Sequence, residues 1–258
     1  MSVATRLEPF VPDSLVAAAA RLLYPRFERE LHWLDRLCLT ERTAVDIGAW
    51  YGPWTSRLAA LAASVVAVEP MPALARLLAS AVPDNVRVVP AAASDHLGTA
   101  SIWTSSDGRG VRGISALGRR QDVHTTSVPV PLVTIDSLGL TDVAFVKIDV
   151  EGHELPVLRG ARATIQRDHP VLLVEAETRI QSIPDLVDLL ACWDYRPWVL
   201  PGREWVPLAH FDLAGHQHSS GRAAQRGLLA RAVWPYPRYV NLVLFVPGRT
   251  WPGECARP

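Results

Sequence analysis

The chain has 258 residues, of which 49% are hydrophobic, and its 26 Lys and Arg residues balance its 26 Asp and Glu residues. This length and apolar content suit one sizeable domain with a large core. The balanced charge excludes a bulk electrostatic attraction to nucleic acid or to an anionic membrane, so a neutral or weakly charged substrate is favoured.

The cysteines and the apolar runs predict a cytoplasmic protein. Cys38, Cys192 and Cys255 are few and far apart, which argues against a disulfide framework and against a zinc knuckle. Arg21 interrupts the apolar residues 16–20, so no signal peptide is expected. No uninterrupted apolar run approaches the roughly 20 residues of a membrane span.

In chain order, the first 40 residues form a predicted helical extension, and an α/β pattern follows. Residues 15–23 fit an amphipathic helix that packs on the domain, with contact to a surface as the alternative. The helices alternate with short apolar runs, which predicts parallel strands joined by right-handed connections. The first predicted strands lie at residues 43–47, 65–69 and 86–90, and the helices between them at 54–62 and 72–80.

The pattern changes after residue 99 and then resumes. Two predicted strands flank a loop at residues 105–120 that is rich in Gly, Ser and Arg. The segment after Trp193 is rich in Pro, Trp, His and Gly, and we interpret residues 193–238 as an acceptor-binding insertion or lid. The predicted elements of this half are strands at 101–104, 128–134, 144–149, 171–176 and 239–246, and helices at 155–167 and 184–190.

Two segments have the pattern of ligand-binding strand ends. Residues 44–52 read AVDIGAWYG and residues 146–154 read VKIDVEGHE, so each apolar run ends in a carboxylate and is followed by glycine. In open α/β sheets, ligands bind outside the carboxyl ends of parallel strands. Lys147, the only lysine of the chain, lies within the second run, where a structural role is also open.

The first segment favours S-adenosylmethionine over a dinucleotide. A dinucleotide site needs a G-x-G-x-x-G turn that seats a pyrophosphate, whereas Trp50 separates Gly48 from Gly52 here. Glu69 ends the second predicted strand 23 residues after Asp46, where a carboxylate can accept both ribose hydroxyls. This set suits an adenosine that carries a sulfonium amino acid. The structural alternative for Asp46 is a turn or helix-capping role.

Further pieces of the chain extend the two strand-end segments into one ordered pattern. They are Val45-Asp46-Ile47-Gly48-Ala49, Gly52, Val68-Glu69-Pro70, Ala91-Ala92-Ala93-Ser94-Asp95, Gly98, Thr134-Ile135-Asp136-Ser137-Leu138, Phe145 to Glu154, Val157-Leu158-Arg159-Gly160-Ala161 and Val174-Glu175. In these pieces the chain resembles the FkbM-type S-adenosylmethionine-dependent methyltransferases. The resemblance implies a Rossmann-like seven-strand sheet with helices on both faces and an antiparallel last strand, so that residues 41–258 form a class I methyltransferase domain. It also implies methyl transfer, usually to a hydroxyl oxygen.

The resemblance implies a role for most of these positions. Asp46, Gly48 and Gly52 would contact the methionine portion of the cofactor and Glu69 its ribose. Ser94 and Asp95 would lie on the adenine side. Trp50 and Pro70, which adjoin these residues, complete the predicted cofactor-binding set.

Catalysis is predicted at the second segment. An alcohol acceptor must lose its proton, and either a side-chain base or a divalent metal can promote this. Asp149 and Glu175 end successive parallel strands and would suit Mg²⁺. We favour His153 as the base, with Glu151 as a further ligand or base. The structural alternative for Glu151 and Glu154 is stabilisation of a helix N-terminus.

Acceptor recognition is predicted in the final third of the chain. Tryptophan faces pack well against sugar rings, although they also form ordinary core. His210, His216 and His218 are predicted to lie in a polar, mobile loop over the acceptor, with the flexible residues Gly215, Ser219, Ser220 and Gly221. A metal at His216 and His218 is disfavoured because no Cys or acidic companion is close by. The tryptophans concerned are Trp193, Trp198, Trp205, Trp234 and Trp251.

The leading hypothesis is O-methylation of a small-molecule or oligosaccharide acceptor, specifically a saccharide or a glycosylated metabolite, with assistance from Mg²⁺. One alternative acceptor is the hydroxyl of a polyketide or another small molecule. A second alternative is a non-catalytic module that binds the cofactor, against which the four carboxylates Asp46, Glu69, Asp149 and Glu175 argue. A homodimer is open, because the sequence does not fix the oligomeric state.

Overall fold

The computed structural model describes residues 13–37, 39–105, 125–224 and 238–248. Within these ranges, no helix has the length and apolar character that crossing a membrane requires. Helices and strands alternate through most of the chain. The helices are α1 (Asp13–Phe27), α2 (Pro53–Ala59), α3 (Pro72–Ala79), α4 (Glu154–Gly160), α5 (Arg162–Asp168), α6 (Ile183–Ala191) and α7 (Leu213–Ala224), with 3-10 helices at Arg29–Arg36, Asp136–Leu138 and Leu208–His210.

The strands form one large sheet and one small sheet. The large sheet has the order β10-β9-β11-β8-β7-β1-β2-β3, and the small sheet has the order β4-β6-β5. The strands are β1 (Thr43–Ile47), β2 (Ser64–Val68), β3 (Val86–Val89), β4 (Ala92–Ala93), β5 (Gly98–Ser105), β6 (Thr125–Val133), β7 (Val143–Ile148), β8 (Val171–Glu175), β9 (Tyr195–Val199), β10 (Val206–Pro207) and β11 (Leu242–Pro247).

The large sheet confirms the predicted Rossmann-like architecture. β3, β2, β1, β7 and β8 pair in parallel, and β11 runs antiparallel between β8 and β9, as predicted for the last strand. β9 and the two-residue β10, which follow Trp193, were not predicted as strands. β10 is an eighth strand beyond the expected seven.

Successive strand residues point to opposite faces of the sheet, and in β1 the residues on both faces are apolar. Helices therefore cover both faces. Val45 and Ile47 of β1 belong to a core that includes Leu158 of α4, whereas Ala44 belongs to a second core. That second core contains Trp54 of α2 and Leu34 of the 3-10 helix Arg29–Arg36. The described part of the predicted N-terminal extension is therefore helical and packs on the domain.

Two predicted elements differ from the structure. The helix expected at residues 155–167 is split into α4 and α5 at Ala161, whose φ of -108° and ψ of 5° are not helical. Gly160, the last residue of α4, packs against the loop after β4, because a Cβ there would lie 1.9 Å from the carbonyl oxygen of Ser94. The predicted loop from His210 to His218 is wrong, since most of it lies in helix α7. Most of the predicted loop at residues 105–120 lies outside the described residues, as do Cys38, Cys255, Trp234 and Trp251.

Candidate active site

A tight turn leaves the carboxyl end of β1 toward α2. Gly48, Trp50 and Gly52 all have positive φ, with values of 79°, 51° and 76°. Glycine is required at position 48, because a Cβ there would lie 1.8 Å from the backbone oxygen of Asp149. This close approach brings the ends of β1 and β7 together, as the sequence predicted.

Asp46 and Lys147 lie side by side on one face of the sheet. They are directly paired in the parallel ladder between β1 and β7, and both are almost fully buried. Oδ2 of Asp46 accepts a hydrogen bond from Oγ1 of Thr55 at 2.5 Å. Oδ1 of Asp46 lies 3.9 Å from Nζ of Lys147, is buried and has no hydrogen-bond partner. One buried carboxylate oxygen at the end of β1 is therefore left without a hydrogen-bond partner.

Lys147 joins the carboxylates of two strand ends. Its Nζ donates to Oδ2 of Asp149 at 3.0 Å. Burial lowers the pKa of Lys147, but the carboxylates of Asp149, Asp46 and Glu28 outweigh burial and hold the pKa above its ordinary value. Glu28 precedes the 3-10 helix Arg29–Arg36 and accepts a hydrogen bond from the indole of Trp54. Burial raises the pKa of Glu28 to about 8, against the effect of Lys147.

Glu69 follows β2 and braces the neighbouring backbone. Its Oε2 accepts from the backbone N–H of Trp50 at 2.8 Å, and its Oε1 accepts from the N–H of Met71 at 2.8 Å. Burial raises the pKa of Glu69 to about 7, although these hydrogen bonds lower it. The predicted ribose residue thus also fixes the β1–α2 turn. Pro70 lies in sequence between Glu69 and Met71, whose N–H donates to Glu69.

Ser94, Asp95 and His153 lie together after β4. Oγ of Ser94 lies 3.0 Å from Nε2 of His153, and Oδ1 of Asp95 lies 2.6 Å from Nδ1 of His96. His153 is half-buried, and burial lowers its pKa below the ordinary value. The predicted base therefore contacts Ser94, one of the two predicted adenine-side residues.

Several acidic residues follow β7 and β8. Glu154, the first residue of α4, accepts from the backbone N–H groups of Val150 and Gly152 at 3.2 Å each, which braces the turn that contains Glu151. Oε1 of Glu175 accepts from Asn241 at 3.0 Å, whereas its Oε2 is buried and without a hydrogen-bond partner.

Burial and the neighbouring carboxylates of Asp149, Glu151, Glu154 and Glu177 raise the pKa of Glu175 well above its ordinary value. Within the described ranges, no three His, Cys, Asp or Glu residues form a group that could hold a metal ion. The ammonium of Lys147 already donates a hydrogen bond to Asp149. Its positive charge would repel a divalent cation at this carboxylate, which further disfavours magnesium there. The described residues thus fit the predicted magnesium poorly.

The described tryptophans of the final third pack against the core. Trp205 is buried and meets Trp33 edge-to-face, with ring centroids 6.0 Å apart. Trp193 and Trp198 are partly buried against the two main cores. Of the histidines in this region, His216 accepts from the backbone N–H of Val240 at 3.2 Å, and His218 is exposed. These tryptophans support the core alternative over a platform for a sugar ring.

Arg21 and Glu28 were missed by sequence reasoning. Both come from the N-terminal segment, yet Arg21 contacts the β1–α2 turn through a hydrogen bond from its Nε to the backbone oxygen of Tyr51 at 3.1 Å. A signal for Arg21 did exist, since it interrupts a run of small apolar residues and faces the same side of α1 as Ala17 and Ala20. No local pattern marks Glu28.

Comparison with known proteins identifies the family. The methyltransferase FkbM domain matches residues 46–197. No curated protein matches the chain in sequence. Among solved structures, a methyltransferase FkbM from Methylobacillus flagellatus KT is 18% identical with a TM-score of 0.46, and the alignment covers 80% of this chain and 43% of that chain. The present chain thus spans less than half the length of that protein.

Two other solved structures are similar over most of both chains. A precorrin-6y C5,15-methyltransferase from Geobacter metallireducens GS-15 is 14% identical with a TM-score of 0.46, covering 83% of this chain and 86% of that chain. An rRNA methylase from Streptococcus thermophilus is 10% identical with a TM-score of 0.44, covering 86% and 95%. The family match spans more than half of the chain and both strand-end segments, so the protein belongs to the FkbM methyltransferase family.

Proposed function

We propose that the protein is an S-adenosylmethionine-dependent O-methyltransferase that acts on a hydroxyl group of a saccharide or glycosylated metabolite. The observation that carries this proposal is the edge of the sheet at β1, β2 and β7. There, Asp46, Glu69 and Asp149 surround a turn with positive φ at Gly48 and Gly52. Ligands bind at this edge in open α/β sheets, and the family supplies the reaction class.

The residues present fit the proposed cofactor. The buried Oδ1 of Asp46 has no hydrogen-bond partner, so it can accept from an ammonium group of the methionine portion. Each oxygen of Glu69 accepts one backbone N–H, and the carboxylate, which is ionised above its pKa of about 7, has about four acceptor positions, which leaves capacity for two ribose hydroxyls. Ser94 and Asp95 are proposed to face the adenine, and Trp50 and Pro70 to adjoin the cofactor.

The protein's own groups would prepare the acceptor. When bound, the cofactor supplies an electrophilic methyl group. We propose that His153 removes the hydroxyl proton of the acceptor, because burial lowers the pKa of His153 and keeps the imidazole neutral at physiological pH. Lys147 holds Asp149 and balances the charge of Asp46. Glu151, on the turn after Asp149, is the alternative base.

Magnesium dependence stays a prediction, placed at Asp149 and Glu175. Exhaustive treatment with EDTA, followed by assay with and without added Mg²⁺, tests it separately from cofactor binding. A metal that orients the acceptor would make EDTA abolish turnover and Mg²⁺ restore it, with cofactor affinity unchanged. Full turnover after EDTA would overturn the magnesium prediction and leave the two carboxylates as acceptor-positioning groups.

The acceptor class is tested by isotopic labelling. The purified protein is incubated with S-adenosylmethionine that carries a labelled methyl group and with a panel of saccharides, glycosides and polyketide alcohols. Mass spectrometry is expected to find the label on a saccharide or glycoside oxygen. Label only on polyketide alcohols would replace the acceptor class. Cofactor binding without transfer to any alcohol would favour the non-catalytic module.

Replacing Glu69 with glutamine is expected to weaken S-adenosylhomocysteine binding by about tenfold to a hundredfold. The amide loses the negative charge and one acceptor group, and a hydrogen bond to a charged group contributes roughly 1.5–3 kcal/mol. Calorimetric titration measures the affinity. The matched control is Glu204→Gln, because Glu204 is exposed. Equal affinity of Glu69→Gln and the control would remove Glu69 from the ribose site.

A further inference from the structure

Arg21 of helix α1 reaches the turn between β1 and α2. Its Nε donates to the backbone oxygen of Tyr51 at 3.1 Å. A Cβ placed on Gly52 would lie 3.8 Å from Nη2 of Arg21 and 3.6 Å from Cβ of Thr55. Thr55 in turn donates to Asp46. The guanidinium contacts this turn directly, and the Asp46 carboxylate is linked to it through Thr55.

The guanidinium of Arg21 is incompletely satisfied. Its Nη2 is buried and has no hydrogen-bond partner, and among the described residues no acidic side chain forms an ion pair with it. Burial lowers the pKa of Arg21. A partly buried cation without a counter-charge costs stability unless a ligand supplies one. An anionic ligand group at the β1–α2 turn would supply the counter-charge that Arg21 lacks among the described residues.

We infer that Arg21 binds the carboxylate of the methionine portion of the cofactor. The inference rests on the proposed function, because it requires S-adenosylmethionine at this turn. An amino acid carries one ammonium and one carboxylate. The turn is flanked by one buried carboxylate oxygen without a hydrogen-bond partner, on Asp46, and one such guanidinium nitrogen, on Arg21. These two groups complement the two charges of the amino acid.

This assignment gives the N-terminal segment a part in cofactor binding. Arg21 lies outside the matched domain, which begins at residue 46. Helix α1 is held near the turn by a further contact, the hydrogen bond from the hydroxyl of Tyr51 to Asp13 at 3.2 Å. Arg21 is thus positioned by its own helix, and its planar fork of donors suits a carboxylate.

The test compares two ligands that differ only in the carboxylate. S-adenosylhomocysteine carries it, and decarboxylated S-adenosylhomocysteine keeps the ammonium, sulfur, ribose and adenine. By calorimetric titration, the wild type is expected to bind the first ligand at least about tenfold more tightly. Arg21→Met is expected to lose this preference and to bind the decarboxylated ligand no more than about twofold differently from the wild type. Arg26→Met, on an exposed residue of the same helix, should keep the preference.

The outcomes separate the inference from the proposed function. If the wild type binds neither ligand, the proposed function fails and the inference falls with it. If the wild type binds both ligands equally, only the inference is overturned, and this result needs no variant. Retention of the preference by a folded Arg21→Met protein would also overturn it. Should Arg21→Met fail to fold, Arg21→Gln is titrated instead, with the same expectation.

Discussion

Replacing Lys147 with methionine is expected to lower the free energy of unfolding by about 3–5 kcal/mol. The substitution removes the single ammonium that faces Asp46 and Asp149, and breaking a buried ion pair by deleting one partner leaves an uncompensated buried charge. Urea denaturation followed by circular dichroism measures the change. The matched control is Arg42→Met, whose ion pair with Asp142 is exposed, and its expected loss is within about 1 kcal/mol.

The deficit of Lys147→Met should shrink as the pH falls through the pKa that Asp46 has in the folded variant. Burial raises the pKa of Asp46 in the folded protein above its ordinary value, and removal of the ammonium raises this pKa further. A group whose folded pKa exceeds its unfolded value stabilises the fold at low pH, and that stability is lost as the pH rises through the folded pKa. A loss of unfolding free energy below about 1 kcal/mol that does not change with pH would contradict the claim that Lys147 is the counter-charge of Asp46 and Asp149.

Replacing His153 with alanine is expected to lower kcat by about 10²–10⁴-fold, because general-base catalysis commonly contributes that much. Affinity for S-adenosylhomocysteine should stay nearly unchanged. In the wild type, kcat/KM should rise with pH through a group whose pKa lies below the ordinary histidine value, since burial lowers the pKa of His153 and the neutral imidazole is the active form. Steady-state kinetics across pH measure both quantities.

Two controls separate catalysis from a positioning role. His218→Ala removes an exposed histidine and should leave kcat unchanged. Ser94→Ala removes the hydrogen-bond partner of His153 but keeps the imidazole, so it should lower kcat far less. If His153→Ala keeps most of its kcat and the acid limb of the pH profile does not move, the base lies elsewhere, and Glu151 is the next candidate.

The strands that carry the site were predictable because their pattern is local. Residues 43–47 were predicted as a strand, and β1 has the same bounds. β7 differs from its prediction by one residue at each end. Both are runs of apolar residues that end at Asp and Gly, and their parallel pairing follows from the helices between them. The clustering of Asp46, Glu69 and Asp149 follows from the same argument.

Helix α7 was not predictable from its composition. Its Gly215, Ser219, Ser220 and Gly221 are poor helix formers. Tertiary contacts override this preference, because the buried amide of Gln217 donates to the backbone oxygens of Ala176 at 2.7 Å and Val240 at 3.0 Å. The overlooked local signal is Asp212, whose Oδ1 accepts from the N–H of Gly215 at 2.9 Å before the first turn.

The contacts that the N-terminal segment makes with the β1–α2 turn and with α2 were also not predictable from the sequence. Arg21 contacts Tyr51, which lies 30 residues later, and Glu28 contacts Trp54, which lies 26 residues later. The direction in which α1 docks on the domain is set by burial of Ala17 and Ala20, and a helical pattern alone does not specify it. Interactions of this kind depend on how elements pack, whereas strand ends depend on sheet topology.

A crystal structure of the protein with S-adenosylhomocysteine tests the central claim most directly. We predict that the ligand lies at the carboxyl ends of β1 and β2, with its ribose hydroxyls on the carboxylate of Glu69 and its amino group on Oδ1 of Asp46. Ligand density at any other place in the fold, or no density at a saturating concentration, would contradict the assignment of this edge as the cofactor site.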